Sequence, residues 1–213
     1  MMIYHRGFKL YKKKLKHWIP LCEEWLLSIE RYSRMMEGGD AAFGYNERAN
    51  IGLLAGAATR CGSIALEEFQ STKLHNKEEK QGRADLWICN ENSKEEIIEA
   101  KFKWLSLNSR NEVTLVQGVL DAACDDAIKS RCGDKDIQGV GVAFIPLYIK
   151  ETKVDNLGEQ VERILQSLDK SIKCDLIAWC CPKEEATYTF DNGNITPGVI
   201  MLAKKVNSLA VAK

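Results

Sequence analysis

The chain is poor in the residues that build a zinc site. It carries three histidines and eight cysteines among 213 residues, and no two cysteines form a C-x-x-C pair. A structural zinc cluster is therefore not expected. Most of the cysteines sit in apolar stretches such as LWIC (86–89) and LIAWCC (176–181). There cysteine behaves as a small core residue, and a reducing compartment, the cytoplasm, is its natural setting. No apolar run approaches the ~18–20 residues that cross a bilayer, so no membrane partner is expected. The opening MMIYHRGFKLYKKKLKHW lacks the apolar h-region of a secretion signal. Net charge is also missing: 30 Lys and Arg balance 30 Asp and Glu, which weighs against a basic field over the whole surface. There is no GxGxxG after a strand, no GxxxxGK[ST], no GxSxG and no HExxH, which removes the common nucleotide, hydrolase and zinc-protease signatures. Repeats, low-complexity segments and Gly/Ser linkers are absent too. One α/β domain, residues 45–213, with an N-terminal helical extension, residues 1–44, is the simplest organisation.

The apolar spacing marks the elements. Residues 8–37 read as helical with a break at Pro20, because Leu21, Trp25, Ile29 and Tyr32 recur at helical spacing before Gly38-Gly39. Residues 46–60 read as a helix with Asn46 as N-cap and Cys61-Gly62 as its close. The stretch 63–73 reads as a strand, and 83–89 and 96–104 as two strands of a hairpin. A helix is expected over 111–130, a strand buried on both faces over 139–150, an amphipathic helix over 156–172 and a buried strand over 174–181. Residues 187–190 and 198–205 are expected to close a hairpin around DNGN (191–194). The first twenty residues hold Arg6, Lys9, Lys12, Lys13, Lys14 and Lys16 with no acid and with aromatics interleaved. That segment either grips phosphates or forms a solvated helix face.

One stretch does not suit a core. Residues 82–104 read GRADLWICNENSKEEIIEAKFKW, with Asp85 opening one strand and Glu99 and Lys101 inside the next. Strand side chains alternate with period two. Ile97, Glu99, Lys101 and Lys103 therefore share one face, and Ile98, Ala100, Phe102 and Trp104 the other. An adjacent strand brings Asp85 towards Glu99. Two such carboxylates repel unless a cation joins them, and oxygen donors of this kind suit Mg²⁺ or Mn²⁺. Glu67 and Glu68 are a further source of carboxylates, or else edge-strand charge that deters aggregation.

The order helix-strand-strand-strand-helix-strand from residue 46, with GRAD and then EAK on successive strands, resembles the PD-(D/E)XK nuclease superfamily, the restriction-endonuclease-like fold. The resemblance spans roughly residues 45–150, and Ala84 stands where the family motif has proline. It implies an α/β core with a mixed central sheet flanked by helices, and a metal-dependent hydrolase of phosphodiester bonds, most readily in DNA. It further implies Asp85 and Glu99 as ligands of Mg²⁺ or Mn²⁺, with the Ala100 carbonyl and Glu47 joining them. Lys101 would position the attacking water. Gln117, on the helix after EAK, would orient Lys101 or contact substrate, and Lys103 would also face substrate. Many enzymes of this fold act as homodimers, so a homodimer is expected. The alternative is a catalytically silent nuclease-like fold that binds nucleic acid, or a protein partner through its N-terminal or C-terminal elaboration.

Overall fold

A computed structural model of the chain describes residues 5–75, 78–92, 94–130, 137–153, 156–183 and 189–206; side chains at 74–79 are outside that description. The strands are β1 (Arg6–Leu10), β2 (Ile64–His75), β3 (Glu78–Cys89), β4 (Glu95–Phe102), β5 (Leu105–Ser106), β6 (Gln138–Lys150), β7 (Leu176–Cys180) and β8 (Asn194–Val206). The helices are α1 (Ile19–Met35), α2 (Glu47–Arg60), α3 (Glu112–Lys129) and α4 (Leu157–Ser171). The strands form one sheet in the order β1-β7-β8-β6-β4-β3-β2, with β5 pairing β6 beyond the end of β4. The sheet is mixed: β4 and β5 run parallel to β6, and every other named pair is antiparallel. From α2 onward the order is the expected helix-strand-strand-strand-helix-strand, apart from the two-residue β5.

Period two decides which face each strand residue joins. Ile98, Ala100, Val142, Phe144, Ala178 and Met201 lie in a core with Trp25, Ile29, Leu54 and Ala58 of α1 and α2. Ala143, Ile145, Ile177, Ile200 and Leu202 lie in the opposite core with Val116, Leu120, Ile164 and Leu168 of α3 and α4. The central strand β6 is buried almost throughout, as its continuous apolar run predicts. Asn46 caps α2 as expected: its side chain accepts the Ala49 N–H at 2.9 Å. Cys22, Cys124, Cys174, Cys180 and Cys181 are buried, and burial pushes the Cys22 and Cys181 thiols up to about 12.

The N-terminal segment departs from expectation. Residues 6–10 are not helical; they form β1, which pairs with β7 at the sheet edge. A 3-10 turn, Lys13–Trp18, follows. Pro20 does not break a helix but stands in the first turn of α1, where its missing N–H costs nothing. Several basic residues here are held by the chain's own acids: Arg6 by Glu30 at 2.5 Å, Lys9 by Asp169 at 2.6 Å and Lys12 by Asp175 at 3.7 Å. Trp18 is buried and donates from Nε1 to the buried Glu96 carboxylate at 2.8 Å, while His17 meets its other oxygen at 2.9 Å. Sequence spacing marks this segment as amphipathic, and edge pairing to β7 decides its form. The expected turn at 191–194 forms, with the Phe190 N–H donating to the Asn194 carbonyl at 2.9 Å, but the strand after it, β8, is longer than expected and pairs with both β6 and β7. Of residues 187–190, only Thr189 and Phe190 are described; Thr189 bridges Ile195. Among the described residues, no helix is long and apolar enough to cross a membrane.

Candidate active site

The site forms where two strands part. The ladder between β3 and β4 runs from Cys89↔Glu95 to Leu86↔Ile98. Beyond Ile98, β4 continues to pair with β6 as far as Phe102↔Phe144, and β3 continues to pair with β2 as far as His75↔Glu78. The outer edge of β4 at Ala100 and Phe102 therefore loses its strand partner. Buried backbone donors need acceptors, and two carboxylates supply them. Asp85 Oδ2 accepts the Ala100 N–H at 2.7 Å. Glu47, in the first turn of α2, faces the Phe102 N–H. In an extended residue the N–H and C=O point to the same side, so the Ala100 carbonyl also faces this opening.

The other expected residues lie around it. Glu99 is 2% exposed. Its Oε1 accepts from Ser130 Oγ, which follows α3, at 2.5 Å and from Lys73 Nζ, on β2, at 2.7 Å. Burial raises the Glu99 carboxyl above the usual range; Lys73 and Ser130 oppose that shift, and the Asp85 charge adds to it. Burial likewise raises the Glu47 carboxyl, opposed by the Lys101 charge and the Phe102 N–H and assisted by Asp85 and Glu99. Glu47, Asp85 and Glu99 are thus close enough to feel one another. Lys101 Nζ lies 2.8 Å from Asp126 Oδ2, on α3. Burial alone would lower the Lys101 ammonium, but its hydrogen bond to Asp126 and the charges of Asp126, Glu47 and Asp85 hold it above its ordinary value.

A small cleft of about 60 Å³ opens beside this edge, lined by Glu47, Arg48, Ile51, Glu67, Glu68 and Asp85. Glu68 has φ of 53°, a left-handed conformation uncommon for a non-glycine residue. It interrupts the β2–β3 ladder opposite Asp85 and pairs with Arg48 at 3.0 Å and Arg83 at 3.7 Å. Glu67 and Glu68 thus border the cleft on the Asp85 side. Among the described residues, no three His, Cys, Asp or Glu side chains already converge to metal-holding distance.

Of the two expected substrate contacts, Gln117 is engaged away from this cluster. Gln117 donates to Asp121 at 2.8 Å and accepts the Lys173 N–H at 2.8 Å. It stands nine residues before Asp126, about 13 Å along the helix, and Lys101 takes Asp126 as its partner instead. Lys103 is exposed just past the end of β4, its N–H bonded to the Phe144 carbonyl. Trp87 stacks on Phe69 and donates to Glu95 at 3.0 Å, and Trp104 packs edge-on to Phe102 and Tyr148.

Lys73, Asp126 and Ser130 were not legible as site residues. Lys73 pairs in register with Lys80, far along the ribbon from Asp85; only tertiary curvature returns its side chain to Glu99. Asp126 and Ser130 reach the site only because the C-terminal turns of α3 cross β4. No protein-family model, no curated protein and no solved structure matches the chain.

Proposed function

We propose that the protein is a metal-dependent nuclease of the PD-(D/E)XK type that hydrolyses phosphodiester bonds, with DNA as the favoured substrate. The observation that carries this reading is the gathering of Glu47, Asp85, Glu99 and Lys101 around the unpaired edge of β4, where the Asp85 charge helps to raise the carboxyls of both Glu47 and Glu99. The three carboxylates fit a hard divalent cation: their donor atoms are all oxygens, and the Ala100 carbonyl faces the same opening. Asp85, Glu99 and Glu47 would hold Mg²⁺ or Mn²⁺, which when bound supplies positive charge to the phosphate oxygens and the attacking water.

The chain's own residues do the rest. Lys101 stays an ammonium at neutral pH, because Asp126 and the nearby carboxylates hold its proton. It therefore acts as a donor that orients water and offsets phosphate charge, rather than as a base. Asp85 fixes the Ala100 backbone, and with it the spacing of Glu99 and Lys101 on either side. The rigid sheet makes that spacing reproducible. A homodimer in the cytoplasm belongs to this proposal as the arrangement that would cut both strands of a duplex.

The test incubates purified protein with supercoiled and linear DNA, with Mg²⁺, with Mn²⁺ or with EDTA, beside Asp85→Ala and Lys101→Ala. Cleavage that needs metal and disappears in both variants supports the reading. Absence of cleavage from folded protein, on DNA and RNA alike, sinks it.

A second reading has its own observation. Lys101 is paired with Asp126, and Glu99 with Lys73 and Ser130, so the charges can be satisfied without metal. A silent nuclease-like fold that binds nucleic acid or a protein partner would keep these pairs permanently. DNA retention in the presence of EDTA, without cleavage in any metal, would favour it.

A further inference from the structure

The position of Lys73 has no counterpart among the roles assigned above. Its ammonium lies 2.7 Å from Glu99 Oε1, and its side chain is 29% exposed against 3% for Glu99. Exposed ion pairs contribute little, but a carboxylate this buried needs a compensating charge. Lys101 cannot serve, since it is bonded to Asp126. The sequence also makes room for the lysine. Ser71 pairs with Gly82 and Lys73 with Lys80, so the Lys73 stem must run back over Gly82 to reach Glu99. A Cβ at Gly82 would lie 2.9 Å from both Cγ and Cδ of Lys73. The glycine that precedes the Arg-Ala-Asp stretch is therefore the seat of the lysine stem.

From this geometry we propose that Lys73 is a built-in counter-ion of Glu99 that a divalent cation must displace. The site then has two forms. In one, Lys73 neutralises Glu99; in the other, the cation takes that oxygen and repels the ammonium outward, along its partly exposed path, to the mouth of the site. Lys73 thereby weakens cation binding to a chosen level and delivers a free ammonium to the region where a phosphate would approach. The inference rests on the metal-site reading of Asp85 and Glu99. It concerns what opposes metal at that site, not whether metal binds.

Mn²⁺ titration of the full chain at one fixed pH, followed by calorimetry and by the electron paramagnetic signal of the free ion, tests it. Lys73→Gln removes the competing charge and is expected to tighten Mn²⁺ binding roughly 5- to 50-fold. Gly82→Ala keeps the charge but unseats the stem, and is expected to shift affinity the same way by a smaller factor. Glu99→Gln is expected to bind most weakly. Thermal melts establish that each variant is folded. Equal or weaker Mn²⁺ binding by folded Lys73→Gln overturns the counter-ion role while leaving the metal site standing, and an unchanged Gly82→Ala overturns the seating by Gly82. No saturable binding by the wild type and both of these variants overturns the metal-site reading, and this inference with it.

Discussion

Asp85 Oδ2 accepts the Ala100 N–H at 2.7 Å at the point where β3 has parted from β4. The carboxylate replaces a lost ladder bond, so one side chain ends a strand pairing and sets an acidic group beside Glu99. Two substitutions separate those tasks. Asp85→Asn keeps an acceptor for Ala100 and loses the charge; Asp85→Ala loses both. Leaving the Ala100 N–H unmet should cost about 1–3 kcal/mol, so Asp85→Ala should melt lower than Asp85→Asn, with neither cutting DNA. Equal melting curves for the two variants would mean that the hydrogen bond contributes nothing.

Lys101 gives a prediction about mechanism. Its ammonium is held above its ordinary value by Asp126, against the effect of burial. Lys101→Ala should reduce DNA cleavage by roughly 100- to 1000-fold. Asp126→Asn should leave cleavage largely intact at neutral pH but allow Lys101 to lose its proton sooner. The alkaline limb of the pH–rate profile should then move to lower pH. An alkaline limb that stays in place would remove Lys101 from the titrating step.

Glu47 ties the site to stability. Its carboxyl is raised by burial and by Asp85 and Glu99, and these outweigh Lys101 and the Phe102 N–H. The native chain therefore holds a proton that the unfolded chain releases. The resulting stability is fully present below the ordinary carboxylate value and is lost as pH rises through the raised one. Glu47→Gln keeps an acceptor for Phe102 and cannot titrate. Denaturant unfolding from about pH 4 to about pH 8 should show wild type losing ground to Glu47→Gln as pH rises. Mn²⁺ should return that ground at neutral pH, because it binds only the native site. Parallel stability curves without metal would contradict the raised carboxyl.

Much of this was legible because it is local. Alternation along EIIEAKF places Glu99 and Lys101 on one face and Ala100 on the other, whatever the fold. Asn46 caps α2 through its own side chain three residues on. The buried run of β6 could only be a central strand. What the sequence hid depends on distant partners. Residues 6–10 become a strand because β7 offers an edge. Lys73 reaches Glu99 only because the β2–β3 ribbon curls back. Asp126 meets Lys101 only because α3 crosses β4, at a distance that no spacing along the chain encodes.

That crossing rests on Gly141, which pairs with Glu99 across the parallel β4–β6 ladder. A Cβ at this position would lie 2.6 Å from the Cys124 backbone nitrogen and 2.8 Å from its Cα. Backbone cannot swing aside as a flexible side chain can, so α3 would have to lift from the sheet. Overpacking of this kind costs about 1–3 kcal/mol or more. The displacement would fall near Asp126 and Ser130, the partners of Lys101 and Glu99. Gly141→Ala should therefore lower both the melting temperature and the cleavage rate per folded molecule. A stability control comes from Trp18→Phe. It takes one donor from buried Glu96, on the β4 face opposite Glu99, and should cost about 1–3 kcal/mol with cleavage per folded molecule unchanged. If Gly141→Ala loses stability to the same extent as Trp18→Phe and keeps its cleavage rate, the placement of α3 does not govern the site.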